Sequence, residues 1–505
     1  MQTRPPRFVI VGGGTAGWLA ALMIRDAARR AAMPIHLTVV ESSRIPTIGV
    51  GEGTTAVFRM MLRHFGFDEA EFLRATGATI KFGIRHRDWR TIGHTYDGPI
   101  DDPHQVLGDT NGSWLDIHQV AAGRSVAETH LFAALLDRGK SPYARKPDGS
   151  LVAAGPFHHA YHFDQALVGQ YLRTKARDIA VVDAEVRGCR MEEDGIAALI
   201  TDNAGEIEGD FFIDCSGFRR VLIERQMGAT WTSFADVLPV NRAMPFWLEI
   251  REDDEIPPYT LAWAQGSGWM WTIPTRYRLG CGYVYDDSFI GPDEARAEIE
   301  AALGRSIEPR ADLRFETGRL TSPWIGNCLA LGLASSFLEP LEATSIHGTI
   351  VQLMIFTHFH LKSPAAMTEA DRRSYNAAVA RQVDDFRDFI NLHYVSERED
   401  TPFWRTMRHE RIGLTTRERL HRWRSKMPSA ADFAEFPGRF PHIQQQLHYP
   451  VLDGLGLLSR EIARAEMAAR PRLSAHARAT ARSLIAEYRH AAGRTLGHRA
   501  FLESL

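Results

Sequence analysis

Two kinds of apolar pattern organise the chain. Phe8-Val-Ile-Val11 is a short continuous apolar run, the pattern of a strand buried on both faces of a parallel sheet. Gly12, Gly14 and Gly17 follow in Gly-x-Gly-x-x-Gly spacing around Thr15 and Ala16, and Trp18 to Ala32 then predicts a helix. His36-Leu-Thr-Val-Val40 predicts a second strand, ending at Glu41. The stretch Gly268-Trp-Met-Trp-Thr-Ile-Pro274 instead has period two. Trp269, Trp271 and Ile273 share one face of an extended strand, and Pro274 stops it because proline cannot donate to a sheet ladder. The apolar run from Ile346 to Phe359 predicts a helix entering the interior, with Pro340 in its first turn, and from about residue 370 the chain turns helical and Arg-rich. The fold class is α/β.

The glycine pattern brings chemistry. Its glycines permit a tight turn and leave backbone bare for a pyrophosphate at the helix N-terminus, while Glu41 is placed to accept hydrogen bonds from a ribose. An acid there argues against a 2′-phosphate, which leaves FAD or NAD.

Composition narrows the class further. A chain of 505 residues suffices for two or three domains, and its net charge of −3 suggests no polyanion partner, so no nucleic acid is expected. Four scattered cysteines without Cys-x-x-Cys spacing predict reduced thiols rather than a disulfide frame or zinc site. No apolar run is long enough for a bilayer, and the expectation is a cytoplasmic protein without a membrane partner.

Two indoles on one strand face, ending at a proline, fit either a core strand packing a sheet or a rigid wall between two cavities. Trp-x-Trp-x-Ile-Pro over Trp269 to Pro274 resembles the signature of the flavin-dependent halogenases. The resemblance implies a barrier between flavin and aromatic substrate, crossed only by hypohalous acid made from halide and O2. It also favours FAD. Phe211-Phe-Ile-Asp-Cys-Ser-Gly217 resembles the second flavin-contact strand of FAD-dependent monooxygenases. Leu333, in Cys328 to Ala334, stands where those enzymes carry an aspartate, a departure that matches halogenases, and Val181 to Val186 resembles the strand whose Val186 backbone holds the adenine end. Gly49 to Thr54 resembles the family's strap over the isoalloxazine, although an ordinary mobile loop has the same composition.

Lys81, in Thr79-Ile-Lys-Phe-Gly83, has an apolar setting that would desolvate its ammonium and lower its pKa; taken alone it would be a snorkelling surface lysine. With Trp89 close behind, the stretch resembles the one carrying the family's essential lysine. Glu342, in Pro-Leu-Glu-Ala-Thr-Ser over 340–345, falls in a first helical turn where the dipole favours ionisation; helix capping would explain it equally. The family motif is close to Pro-Leu-Glu-Ser-Thr-Gly, so the resemblance makes Glu342 the catalytic partner of Lys81 and puts Thr344 and Ser345 at the halide-binding positions.

No metal site is expected. His158, His159 and His162 with Asp164 fit no common ligand spacing, Asp164 serves better as the cap of a helix over Leu167 to Arg173, and His358 and His360 fall on opposite helix sides. The segment that clamps the amino acid in tryptophan halogenases here reads Pro441-His-Ile-Gln-Gln-Gln-Leu-His-Tyr-Pro450, with no tryptophan after Trp423, so indole, a substituted indole or another small aromatic substrate is expected over free tryptophan. Residues 1–350 are expected to form an FAD-binding three-layer domain with an interleaved substrate-side sheet, and 351–505 a mainly helical substrate region. The implied function is FADH2-dependent halogenation of an electron-rich arene. A separate flavin reductase would supply the reduced FAD, and a homodimer is possible. The rivals are a flavin-dependent aromatic hydroxylase and a non-catalytic flavin-binding protein.

Overall fold

The computed structural model describes residues 4–45, 51–100, 113–155, 159–193 and 195–505. A six-stranded sheet runs in the order Ala180–Asp183, His36–Glu41, Arg7–Val11, Phe211–Asp214, Cys328–Ala330, Trp324–Ile325. Every pair is parallel except the last. Arg7–Val11 is apolar along its length because both its faces are covered: Phe8 and Ile10 enter one core, Val9 and Val11 another. Helix Thr15–Arg30 follows directly and buries Trp18, Leu19 and Leu22. The strand expected over Val181 to Val186 is broken. Ala184 donates its N–H to the carbonyl of Glu41 (2.8 Å), and Val186 begins a separate antiparallel strand, Val186–Glu192.

A second, seven-stranded sheet carries Gly268–Pro274 between Tyr259–Ala264 and Arg278–Tyr285, with Gly83–Arg87 and Thr95–Pro99 at one edge. Its period-two pattern is real: Trp269, Trp271 and Ile273 enter the main core, while Met270 packs into a separate cluster on the other face. Trp271 faces Gly282 on the next strand, and a Cβ at Gly282 would lie 2.1 Å from the indole ring. A small three-stranded sheet runs in the order Glu52–Gly53, Ala160–Phe163, Thr79–Lys81 and holds Lys81 on its edge strand.

From Glu369–His393 onward the chain is mostly helical, with one short strand, Thr495–Gly497, paired to Lys140–Arg145. The N-terminal half contributes to this layer: Ile117 and Val120 of Ser113–Ala122 share a core with Tyr449, Ala463 and Ala477. Among the described residues no helix is long and apolar enough to cross a membrane.

Candidate active site

A cavity of about 610 Å³ opens at the C-terminal ends of the parallel strands. Gly12, Gly14, Thr15, Ala16, Glu41 and Val186 line one part of it, Leu333 and Ser345 another. Gly12 has φ +118°, and a Cβ there would sit 2.3 Å from the Cys215 carbonyl oxygen. A Cβ on Gly17 would meet the Gly12 oxygen at 1.9 Å, so Gly17 sets the helix against the turn rather than lining the cavity. Gly14 has open space around it and caps Thr15–Arg30 without a side-chain hydrogen bond, which leaves the helix's first N–H groups free for an anion. Glu41 ends its strand 2.7 Å from Arg173 Nη1, and burial raises its carboxyl above the ordinary value against the pull of that guanidinium. A bare turn, an uncapped helix start and an acid at the next strand's end fit a dinucleotide.

Lys81 is fully buried, and its Nζ has no hydrogen-bond partner among the described residues. Burial pushes its pKa down to about 7, opposed by the charges of Glu342 and Glu52. Thr79, two residues earlier, donates its hydroxyl to the carbonyl of Pro274 (2.6 Å), tying the lysine strand to the end of the tryptophan strand. Glu52 lines the 610 Å³ cavity, while a Cβ on its neighbour Gly53 would lie 3.0 Å from Lys81 Nζ. The segment Glu52–Gly53 thus runs between cavity and lysine. Burial raises Glu52 to about 8, against the charge of Lys81, so it is largely neutral at neutral pH. Of the expected strap, Gly49 and Val50 lie outside the described residues.

Glu342 differs from its expected setting. Pro340–Glu342 is a 3-10 turn, Ala343 follows in the left-handed region (φ 53°), and the α-helix begins only at Thr344. The carboxylate precedes the helix, so the dipole is not what ionises it. Burial would raise its pKa, but His393 and His86 outweigh that and hold it at about 2. Their Nε2 atoms lie 2.9 Å and 3.4 Å from Glu342 Oε1, as ion-pair contacts rather than aligned hydrogen bonds. The three donor atoms lie within 4.8 Å of one another, a set that could also hold a metal ion. Thr344 and Ser345 open the helix after the strained Ala343; Thr344 is buried, and Ser345 faces the 610 Å³ cavity.

The indoles of Trp269 and Trp271 stand edge to face, 6.4 Å apart. Trp269 Nε1 donates to Glu339 Oε2 at 2.6 Å, as does the Tyr394 hydroxyl at 2.7 Å. Trp89 packs against Trp269, Tyr394 and Trp404, so the helical C-terminal region backs this face. Ile273 touches the space beside Gly51, and Pro274 ends the strand.

The histidine-rich stretch divides. His159 Nε2 meets Glu69 Oε1 (2.5 Å), His162 Nε2 meets Thr260 Oγ1 (2.9 Å), and His158 lies outside the described residues. Asp164 caps Gln165–Thr174, accepting from the N–H groups of Ala166 and Leu167. His360, in the π-helical turn Phe356–His360, faces Asp371. His448 and Tyr449 of Gln445–Gly454 bond to the carbonyls of Gln444 and Pro428.

Sequence reasoning missed Glu52, His86, Glu339 and His393. Two carried a local signal: Glu339, three residues before Glu342 in the same motif, and Glu52, inside the Gly49 to Thr54 stretch.

The family model described as tryptophan halogenase matches residues 7–469. The tryptophan 6-halogenase SttH of Streptomyces toxytricini is 34% identical over 473 residues, 88% of each chain, and its crystal structure superposes with a TM-score of 0.86 over the full length of both. The tryptophan 7-halogenase RebH of Lentzea aerocolonigenes is 32% identical over 91% of each chain. BrvH, a flavin-dependent halogenase from Brevundimonas sp. BAL3, is 32% identical with a TM-score of 0.84, covering 99% of this chain and 100% of that one. The chain belongs to the tryptophan halogenase family, and it is an enzyme, a flavin-dependent halogenase.

Proposed function

We propose that this enzyme halogenates an electron-rich arene, indole or a substituted indole, using FADH2 supplied by a separate reductase. The observation that carries the reading is Lys81 Nζ, buried and without a hydrogen-bond partner among the described residues, within the electrostatic influence of Glu342 and separated from the cavity by two residues of backbone. Gly12, Gly14, Thr15, Ala16, Glu41 and Val186 would hold FAD, Gly17 would set their turn, and Leu333 would touch it through its backbone. Reduced FAD supplies, with O2 and chloride or bromide, the hypohalous acid that the reaction consumes.

The chain's own residues do the rest. Thr344 and Ser345, at the start of a helix, present N–H groups that suit a halide. Trp269, Trp271, Ile273 and Pro274 form the wall that keeps flavin and substrate apart and excludes water from the path the hypohalous acid takes between them. Lys81 Nζ binds the hypohalous acid and orients its halogen toward the ring. The ring carbon takes the halogen as the O–X bond breaks, the departing oxygen leaves as water by taking a proton from the Lys81 ammonium, which solvent later restores, and Glu342 Oε1 receives the proton released from the ring carbon. Trp269 and Trp271, two residues apart on one strand face, and the lack of a separate NAD-binding module in the sequence favour this over a single-component hydroxylase.

Indole rather than free tryptophan is supported by Gln445–Gly454, where His448 and Tyr449 are already bonded to main-chain carbonyls. The test is mass spectrometry of an arene panel incubated with enzyme, reductase, FAD, NADH and each halide. A chlorine or bromine isotope doublet that disappears in Lys81→Ala is expected. A product heavier by one oxygen, or full halogenation by Lys81→Ala, would overturn the mechanism; faster turnover of free tryptophan than of indole would overturn the substrate.

A further inference from the structure

Glu342 receives a proton in every cycle of the proposed reaction, yet it is enclosed by protein. What surrounds it points outward. His393 Nε2 stands 2.9 Å from Glu342 Oε1, and His393 Nδ1 stands 2.9 Å from the hydroxyl of Tyr96. Tyr96, 8% exposed, lines a second cavity of 590 Å³ at the surface, together with His94 and Asp97. We propose that Glu342, His393 and Tyr96 form a proton exit, through which the proton taken from the arene leaves for water in that cavity. This inference rests on the reading of Glu342 as the acceptor of the ring proton.

Three features of the geometry support a conduit rather than a chance contact. The groups come from three distant parts of the chain: a 3-10 turn, the last residue of Glu369–His393, and the edge strand Thr95–Pro99. The path is braced by stacking. Tyr96 lies on His86 (4.6 Å between centroids, 9° between planes), its partner across the strand pair, and His86 lies on His393 (4.7 Å, 22°). Finally, Gly454 lets the neighbouring helix approach Tyr96, since a Cβ there would lie 2.2 Å from the ring. The tyrosine is therefore fixed where its hydroxyl meets the imidazole.

The proton traffic balances without any redox partner. An O–H bond at Glu342 breaks as an N–H bond forms at His393 Nε2. The Nδ1 proton passes to Tyr96 Oη, whose own proton goes to cavity water, and loss of the Nε2 proton with gain of one at Nδ1 then restores the starting tautomer. The contact at Glu342 is not aligned in the resting structure, as is common for catalytic hydrogen bonds before substrate binds. His393 Nε2 stands closer to Glu342 Oε1 than His86 Nε2 does, 2.9 Å against 3.4 Å, and His393 alone of the two continues to the Tyr96 hydroxyl. The titratable groups around His393 are Glu342, His86, Tyr96 and, on Gln445–Gly454, His448; Lys81 acts on Glu342 electrostatically.

Tyr96→Phe tests the proposal in the FAD-loaded enzyme with its reductase, since phenylalanine keeps the stack and removes only the hydroxyl. We expect kcat for arene halogenation to fall on the order of tenfold with KM unchanged, the solvent deuterium isotope effect to rise, and added imidazole to restore part of the rate. Hypohalous acid captured by a small diffusible trap should form as in the wild type. His393→Gln should show a larger loss; if it fails to fold, Tyr96→Phe alone decides. Unchanged kcat and isotope effect in Tyr96→Phe would overturn the exit. So would a stoichiometric transition metal in the purified wild type that His393→Gln abolishes, because the trio would then be a metal centre. Glu342→Gln separates the two levels: if it stays active, the reading of Glu342 fails; if it is inactive while Tyr96→Phe is unaffected, only the exit fails.

Discussion

Trp269 and Glu339 are joined by a 2.6 Å hydrogen bond from the indole Nε1 to the carboxyl Oε2. The bond ties the tryptophan strand to the turn that carries Glu342 three residues later. Tyr394 donates to the same oxygen and follows His393 directly, so the wall, the candidate base and its imidazole are held as one unit. Two donors on one buried oxygen do not compensate its burial: the Glu339 carboxyl is pushed up to about 7, mainly by desolvation, with Trp269 and Tyr394 pulling it back.

Glu339 therefore gives a signed prediction for stability against pH. Its folded pKa, about 7, lies above the ordinary 4.5, so the folded state holds the extra proton between those values and loses stability as pH rises through that window. Above pH 7 the cost is on the order of 3 kcal/mol. Glu339→Gln keeps an acceptor for both donors and cannot ionise. Thermal denaturation should show the variant gaining on the wild type from pH 5 to 8; a constant difference would contradict the assignment. Glu339→Leu strands two buried donors and should cost about 2–4 kcal/mol at any of these pH values.

Lys81 is expected to trade stability for chemistry. Lowering a lysine from 10.5 to about 7 costs on the order of 4 kcal/mol near neutral pH, because the unfolded chain binds a proton that the folded one partly gives up. The sign makes the folded state gain stability as pH rises from about 7 to 10. Lys81→Met should raise the apparent melting midpoint at pH 7 and flatten that rise, while arene halogenation is lost. Glu342 keeps its two imidazoles in the variant, and Glu52, near 8, is mostly neutral, so no new buried charge offsets the gain. A lower midpoint than the wild type would show that the ammonium is better solvated than its burial implies.

Much of this arrangement was legible in the sequence where a pattern was local. Period two in Trp269, Trp271 and Ile273 placed three side chains on one face without any tertiary information, and the continuous run Phe8 to Val11 announced a strand covered twice. The setting of Glu342 was not legible. Ala343 is a good helix former, and nothing in the sequence shows that it adopts φ 53° and delays the helix by one turn. The imidazoles were hidden for another reason. His86 sits in Gly-Ile-Arg-His-Arg, which looks like a charged surface strand, and His393 lies 307 residues further on. Only the pairing of Gly83–Arg87 beneath Glu369–His393 brings them to one carboxylate.

The cofactor cradle is tested at Gly14. No atom lies within 4 Å of where its Cβ would be, so Gly14→Ala should leave the melting midpoint of the cofactor-free protein unchanged. The same methyl group projects over the uncapped helix start and should weaken FAD binding by tenfold or more, about 1.4 kcal/mol or above, measured by fluorescence titration. Equal affinity in both proteins would show that the pyrophosphate does not approach this turn. Gly17→Ala is the contrasting case: its Cβ would meet the Gly12 oxygen at 1.9 Å, so it should destabilise the fold itself.

Gly282 offers a way to disturb the wall without touching Lys81, Glu342 or the cofactor cradle. It lies opposite Trp271 on the adjacent strand, and a Cβ would fall 2.1 Å from the indole, inside any tolerated contact. Gly282→Ala must displace the ring, at a cost of about 1–3 kcal/mol. If the wall keeps flavin and substrate apart, the variant should bind FAD and consume oxygen as the wild type does, yet yield less halogenated arene per oxygen consumed. The missing oxidant should appear in a trap added to the solution. A variant with unchanged yield per oxygen would mean that the two indoles only pack the sheet. Gly188→Ala, at a strand position with open space around it, serves as the control for a glycine replaced without displacement.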